Sequence, residues 1–217
     1  MADGDRMTKY TLLASLMLVA IASAGQVDLS VKGPEGMTGS ARITNQVSED
    51  GSKYVQLSMT MRQKIGQDVS VLQESSYDAK GNPVRKLQVI TFPGGGGKQT
   101  FSATFDDKGA NVSVEGGGKT VTDTVPYPAG KSVRAVSEFW FVRDKPAPGA
   151  VSTYWRFDIS SRKWTETKAT YHGKRQLKVG AKTLDCHLIT VGDAKAYMDD
   201  KGDPIRMEQR GTIMERP

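Results

Sequence analysis

The sequence predicts an all-β protein: a curved antiparallel meander sheet or partly open barrel, with one short helix. Three observations lead there. Apolar and polar residues alternate with period two along most of the chain after residue 26, which is the strand signal. Short connections made of an acidic residue followed by glycine separate the alternating runs. One internal stretch has its apolar residues three and four apart instead.

In chain order, Val27, Leu29 and Val31 alternate with Asp28, Ser30 and Lys32. Val55, Leu57, Met59 and Met61 alternate with Gln56, Ser58, Thr60 and Arg62. Phe101, Ala103 and Phe105 alternate with Ser102, Thr104 and Asp106, and Trp155, Phe157 and Ile159 with Tyr154, Arg156 and Asp158. Each run puts one face in a core and the other in water, as a half-buried antiparallel sheet requires. The turns are Glu49-Asp50-Gly51-Ser52, Asp78-Ala79-Lys80-Gly81-Asn82, Asp106-Asp107-Lys108-Gly109 and Asp199-Asp200-Lys201-Gly202-Asp203. In each, the acidic side chain starts the turn and Gly takes the φ > 0 position that closes it. The segments Tyr77–Arg85 and Tyr197–Arg206 are close cousins, from either an old duplication or shared hairpin chemistry. The Asp199 cluster lacks the spaced ligands and terminal Glu of an EF-hand loop, so it reads as a hairpin turn.

Val133, Val136 and Trp140 break the pattern and predict a helix over Lys131–Val142, ended before Pro146. This helix separates a first β run (Val27 to Val125) from a second (Val151 to Ile213). The second alone would build a thin core, so residues 25–217 are expected to form a single β-rich domain.

Residues 1–24 read as a signal peptide. Leu12 to Ile21 is apolar but shorter than the ~20 residues of a membrane span. Ala22-Ser23-Ala24 supplies the small-x-small pattern, with the cut expected between Ala24 and Gly25. Asp3 and Asp5 sit in a region that should be positive, whereas Met7-Thr8-Lys9 leads directly into the apolar run, so Met7 is the better start. After residue 24 no stretch is apolar for long enough to span a bilayer as a helix. The one cysteine, Cys186, excludes both a disulfide framework and lipid attachment at the cut. The expected location is the periplasm or the outside of the cell, without a lipid anchor.

Catalytic constellations mostly fail. Gly94-Gly95-Gly96-Gly97-Lys98-Gln99-Thr100 has Gln where a phosphate loop needs a hydroxyl residue. Gly116-Gly117-Gly118-Lys119-Thr120 has Ser113 in place of the first glycine and leads into a strand, so no helix N-terminus is available to hold a phosphate. Both read as inter-strand loops. There is no Gly-x-Ser-x-Gly elbow. Cys186 and His187 are strand neighbours that point to opposite faces, and a Cys186–His172 dyad would need two strands to meet. With two histidines in 217 residues and no local ligand spacing, no metal, cofactor or catalytic residue is assigned. Cys186 reads as a small buried hydrophobe.

Charge and aromatics concentrate in the second half. Arg162 to Lys182 holds seven basic residues against Glu166 alone, a local excess as large as the +6 of the whole chain. Such a patch suits anionic headgroups or wall polymers; no nucleic-acid motif accompanies it. All three Trp lie between residues 139 and 164. The export signal, the long curved antiparallel sheet, the acidic-Gly hairpins and the closing hairpin Ala196–Glu208 resemble, taken together, uncharacterised bacterial periplasmic β-rich domains, distantly similar to the lipoprotein-localisation carriers. In those carriers a half-barrel holds acyl chains, with helices on its concave face. The resemblance implies a curved sheet that receives a lipid-like ligand; it carries over no functional residue.

The function expected is therefore an exported, non-enzymatic binding domain for an apolar or anionic envelope component. Met59, Met61, Trp140, Trp155 and Phe157 would line its cavity, and Lys174, Arg175 and Lys178 would stand at the rim. The alternative is a structural or protein-interaction module whose aromatics are only core, and a third class is a hydrolase assembled from scattered residues.

Overall fold

The computed structural model describes residues 25–62, 68–92, 97–128, 141 and 144–217. Nearly all of them lie in one antiparallel sheet of 14 strands. The first run supplies β1 (Gly25–Lys32), β2 (Thr38–Val47), β3 (Lys53–Arg62), β4 (Val69–Tyr77), β5 (Pro83–Phe92), β6 (Gly97–Phe105), β7 (Gly109–Gly116) and β8 (Lys119–Pro126). The second supplies β9 (Val151–Asp158), β10 (Lys163–Val179), β11 (Lys182–Val191), β12 (Ala194–Met198), β13 (Pro204–Gln209) and β14 (Thr212–Glu215). The all-β class and the open, curved meander are as the alternation predicts.

The strand order is β8-β7-β6-β5-β4-β3-β2-β1-β14-β13-β12-β11-β10-β9. The first and last strands therefore pair in the middle of the sheet, with Val31 opposite Met214. The two edges, β8 and β9, are consecutive in the chain, and among the described residues no ladder joins them. The β9–β10 hairpin instead meets β5 and β6 through side chains. The Gln88 amide of β5 donates to Ser160 Oγ in the β9–β10 turn at 2.9 Å. Phe105 of β6 meets the ring of Phe157 edge-on, with centroids 5.5 Å apart.

Most of the predicted core is buried in one cluster that runs across the sheet and includes Leu29, Leu57, Met59, Met61, Phe101 and Phe105. Period two fails in β9. Tyr154, expected on the solvent face, is as buried as Phe157. The register explains this: Phe157 opposes Trp164 on one face of the β9–β10 hairpin, while Tyr154 opposes Thr167 on the other. From Tyr154 on, both faces of the strand pack, so alternation cannot report burial there.

Strand β10 changes register against β11 between Tyr171 and Lys174, where Gly173 adopts φ +85°. Beyond this bulge the β10–β11 hairpin outruns the short β12, and Leu177, Cys186 and Ile205 form a second small cluster with Tyr197. Cys186 is buried there, its thiol donating to the Arg175 carbonyl at 3.3 Å. Burial, with the nearby Asp185 charge, raises its pKa, which suits the structural role expected of it.

The predicted helix over Lys131–Val142 lies outside the described residues except for Phe141. The Lys145 amide donates to the Phe141 carbonyl at 3.1 Å, one helical turn. Gly94, Gly95 and Gly96 also lie outside them, as do residues 1–24. Gly117 and Gly118 form the two-residue turn between β7 and β8.

The acidic turns form as read. Asp78 and Asp199 organise their loops through matching bonds: the backbone N–H of each donates to the carbonyl four residues on, of Asn82 or Asp203, at 2.9 Å. Asp78 Oδ1 accepts the Lys80 and Asn82 amides at 2.9 and 2.8 Å, and Asp199 Oδ1 those of Lys201 and Asp203 at 3.0 and 2.9 Å. Gly81 and Gly202 close the turns at φ +82° and +83°. The pairs Tyr77–Pro83 and Met198–Pro204 occupy corresponding places, so Met198, rather than Tyr197, is the counterpart of Tyr77.

Burial opposes ionisation of Asp78, but the Asn82 side chain, the two amides and Lys80 outweigh it and hold its carboxyl below the usual range. The stabilisation is thus fully present above the ordinary carboxylate pKa of about 4 and is lost as pH falls through the depressed folded value. Asp78→Ala should cost about 1 kcal/mol in urea denaturation at neutral pH, with the gap to wild type narrowing below about pH 4. An equal gap at every pH would contradict the ionised-carboxylate account.

Candidate functional site

The residues expected to line a cavity fall into three places. Met59 and Met61 of β3 sit between β2 and β4, opposite Ala41 and Gly39 on one side and Val71 and Val69 on the other. Each is 1% exposed, so both are core as the structure stands. Phe157 is buried and Trp155 half-buried on β9, and Trp140 lies outside the described residues. Lys174, Arg175 and Lys178 are exposed beyond the β10 bulge. Ten residues of β10 separate Trp164, the partner of Phe157, from Lys174, roughly 30 Å of strand at ~3.3 Å per residue. The basic residues therefore do not rim the Phe157 cluster. Lys174 instead holds Asp200 at 3.3 Å.

At the seam between the sheet's two ends lies an aromatic cluster. Trp164 packs on Phe157 at 4.9 Å, Phe105 at 5.8 Å and Tyr127 at 5.1 Å between centroids. Tyr127, which follows β8, anchors there by donating its hydroxyl to the Asp106 carbonyl at 2.8 Å. The Trp164 indole N–H is buried and, among the described residues, has no hydrogen-bond partner. A buried donor left unpaired costs about 1–3 kcal/mol, so this nitrogen is the polar feature of an otherwise apolar cluster. Trp enrichment marked the region in the sequence, but nothing there distinguishes Trp164 from its neighbours.

A second cluster centres on His187 of β11. Its Nδ1 lies 2.8 Å from the Tyr171 hydroxyl and its Nε2 2.8 Å from Asp200 Oδ1. The register places Lys174 opposite His187 across β10 and β11. His187, then Lys174, hold the Asp200 carboxyl below its ordinary range. An ionised carboxylate only accepts, so the His187 ring donates from Nε2 to Asp200, while its Nδ1 shares a hydrogen bond with the Tyr171 hydroxyl. Phe141 packs on both rings, 5.1 Å from Tyr171 and 5.4 Å from His187. The result is a relay from a buried phenol to an exposed carboxylate. Its members come from β10, β11 and the β12–β13 turn, a combination without any local sequence spacing. His172 instead meets Thr190 at 2.9 Å, so the structure does not assemble it with Cys186.

Beside Asp200 opens a groove of about 600 Å³, lined in part by Asp28, Asp199, Asp203, Lys201 and Arg216. Much of its charge is already matched. Arg42 pairs with Asp28 at 2.7 Å and Arg216 with Asp199 at 2.8 Å. Burial and the neighbouring Asp199 charge raise the pKa of Asp203. The groove sets four aspartates against Lys201 and Arg216 and contains none of the residues the composition suggested for an apolar cavity with a basic rim.

Together these features define a β-barrel-like fold with an open seam. Its likeness to solved structures falls in that class. The chain is similar to the crystal structure of a β-barrel-like protein of domain of unknown function DUF1849 from Brucella abortus, with TM-score 0.53 and 12% identity over 90% of this chain and 95% of that one. It also matches a DUF1089 family protein from Pseudomonas aeruginosa, with TM-score 0.37 and 12% identity over 78% of this chain and 91% of that one. At such identities the first likeness speaks for the fold alone. No protein-family model and no curated protein matches the chain. Among the described residues no helix is long and apolar enough to cross a membrane.

The His187 relay yields an ordered pair of effects on stability. Tyr171→Phe keeps the ring packing and removes one hydrogen bond, for a cost of about 1 kcal/mol. His187→Ala also strands the buried Tyr171 hydroxyl and uncovers Phe141, so it should cost about 2–3 kcal/mol. Chemical denaturation of the two variants measures the order; equal costs would remove the relay from the account.

Proposed function

We propose that this chain is an exported binding domain that receives the apolar part of an envelope component, such as an acyl chain, at the seam between the two ends of its sheet. The carrying observation is the Trp164 indole N–H, buried beside Phe105, Tyr127 and Phe157 without a partner among the described residues. An apolar pocket with a single convergent polar group is the ordinary form of a small-molecule site: the rings supply area and the donor fixes orientation. The unpaired edges β8 and β9 give a ligand a way in that a closed ladder would deny. Support for export comes from the apolar run Leu12–Ile21 and the Ala22-Ser23-Ala24 pattern. β1 starts at Gly25, so a cut after Ala24 removes no described strand residue. The similarity to half-barrel lipoprotein-localisation carriers points to the same ligand class. In this reading Phe157 and Trp155 belong to the seam, while Met59 and Met61 back the core beneath it. Lys174, Arg175 and Lys178 serve a separate surface.

The exposed β8 favours a second reading, a protein-interaction module. The two separate by experiment. Titration of the purified protein with a long-chain fatty acid, and with phosphatidylglycerol vesicles, should give a saturable change in Trp fluorescence. Trp164→Phe keeps one aromatic ring in the cluster but removes the donor with the rest of the indole, and should weaken binding at least about tenfold, the worth of one buried hydrogen bond. Native mass spectrometry of protein taken from an envelope extract should show a lipid-sized adduct. A clean apo mass with no saturable response to either probe would leave the interaction module standing.

A further inference from the structure

We propose that the edge strand β8 pairs with β8 of a second copy of this chain, antiparallel and about a two-fold axis at Val121. The strand Lys119–Pro126 is exposed along all its length except Val125, and Val121, at 54% exposed, is the most exposed large hydrophobic residue described. Its only ladder among the described strands is with β7.

The β7–β8 hairpin fixes which backbone groups point outward. Its turn is two residues, Gly117 and Gly118, at φ +57° and +74°, the sign pattern of a type I′ turn. In such a hairpin the flanking pair, Gly116–Lys119, exchanges both backbone bonds, and the alternation repeats at Val114–Val121 and Val112–Asp123. Lys119, Val121 and Asp123 therefore bond inward to β7. Thr120, Thr122 and Thr124 present their N–H and C=O groups to the outer edge.

A second copy must match outward groups to outward groups, so only registers that oppose even-numbered residues are allowed. Among these, one stands out. Placing Thr120 opposite Thr122 of the second copy brings Val121 against its own counterpart and sets Lys119 opposite Asp123, twice by symmetry. These side chains share one face and occupy the non-hydrogen-bonded positions, where cross-strand neighbours come closest. Sliding by two residues in either direction sets Val121 opposite Lys119 or Asp123 and loses both charge pairs. Charges on an edge ordinarily discourage pairing; here their four-residue spacing makes the edge complementary to itself. An isologous contact of this kind closes on itself and leaves no further edge at β8.

Sedimentation equilibrium of protein purified after expression of the full chain tests the proposal. Wild type should show a concentration-dependent dimer that weakens as salt rises. Asp123→Lys sets Lys against Lys and should raise the dimer dissociation constant at least about tenfold. Lys119→Asp should do the same by setting Asp against Asp. The double variant Lys119→Asp/Asp123→Lys should restore dimerisation, and the two single variants mixed should form a heterodimer. Thr122→Pro removes an outward N–H without touching the β7 ladder and should leave a monomer with unchanged far-UV circular dichroism. A wild type that is monomeric at every concentration overturns the proposal. So does a dimer that survives Thr122→Pro, or a charge swap that fails to restore pairing.

Discussion

A sheet of 14 strands whose edges do not pair among the described residues must cover its concave face by some other means, and the β9–β10 hairpin contributes it. Gln88 of β5 reaches the turn of that hairpin at Ser160, and Phe105 of β6 packs on Phe157 and Trp164. These contacts join strands far apart in the sheet order. Without them the apolar faces of β5 and β6 would have no lid among the described strands. The closure is made by side chains, so it is tight in apolar area yet lacks the hydrogen-bonded continuity of a true barrel. That difference makes a seam. It also explains why the buried indole of Trp164, unpartnered among the described residues, sits where it does. A sheet edge rolled against a face satisfies rings easily but offers few acceptors to an N–H.

Residues whose burial depends on one face were legible in the sequence. Leu57, Met59 and Met61 alternate with polar neighbours and are buried as the alternation says. The acidic turns were legible too, because Asp78 and Asp199 act on amides within four residues of themselves. Tyr154 was misread because its strand is covered on both sides, and a period-two pattern contains no record of what lies across the second face. The same limit hides the sites. Trp164 reaches Phe105 from another end of the sheet, and His187 meets Tyr171 and Asp200 only because of the β10–β11 register and the β12–β13 turn. The bulge after Tyr171 adds a further break. It shifts the register, so Lys174 comes to lie opposite His187 and within reach of Asp200. Basic composition alone suggested a free cationic rim; strand pairing turns one of its members toward a carboxylate.

The two surfaces with the most to offer a partner differ in kind. The seam is a cluster of aromatic rings around one buried indole N–H. The outer edge of β8 is a row of backbone groups flanked by small polar side chains and two opposite charges, which suits another strand. The acidic groove near Asp200 belongs to neither class, since Arg42, Arg216 and Lys174 already answer much of its charge.

These surfaces are also connected. Tyr127 directly follows β8, donates its amide to the Lys108 carbonyl at 3.4 Å and lays its ring on Trp164. It is at once the end of the edge strand and the lip of the seam. Its contacts thus tie the end of the edge strand to the ring cluster: the backbone holds Lys108 while the hydroxyl holds the Asp106 carbonyl at 2.8 Å.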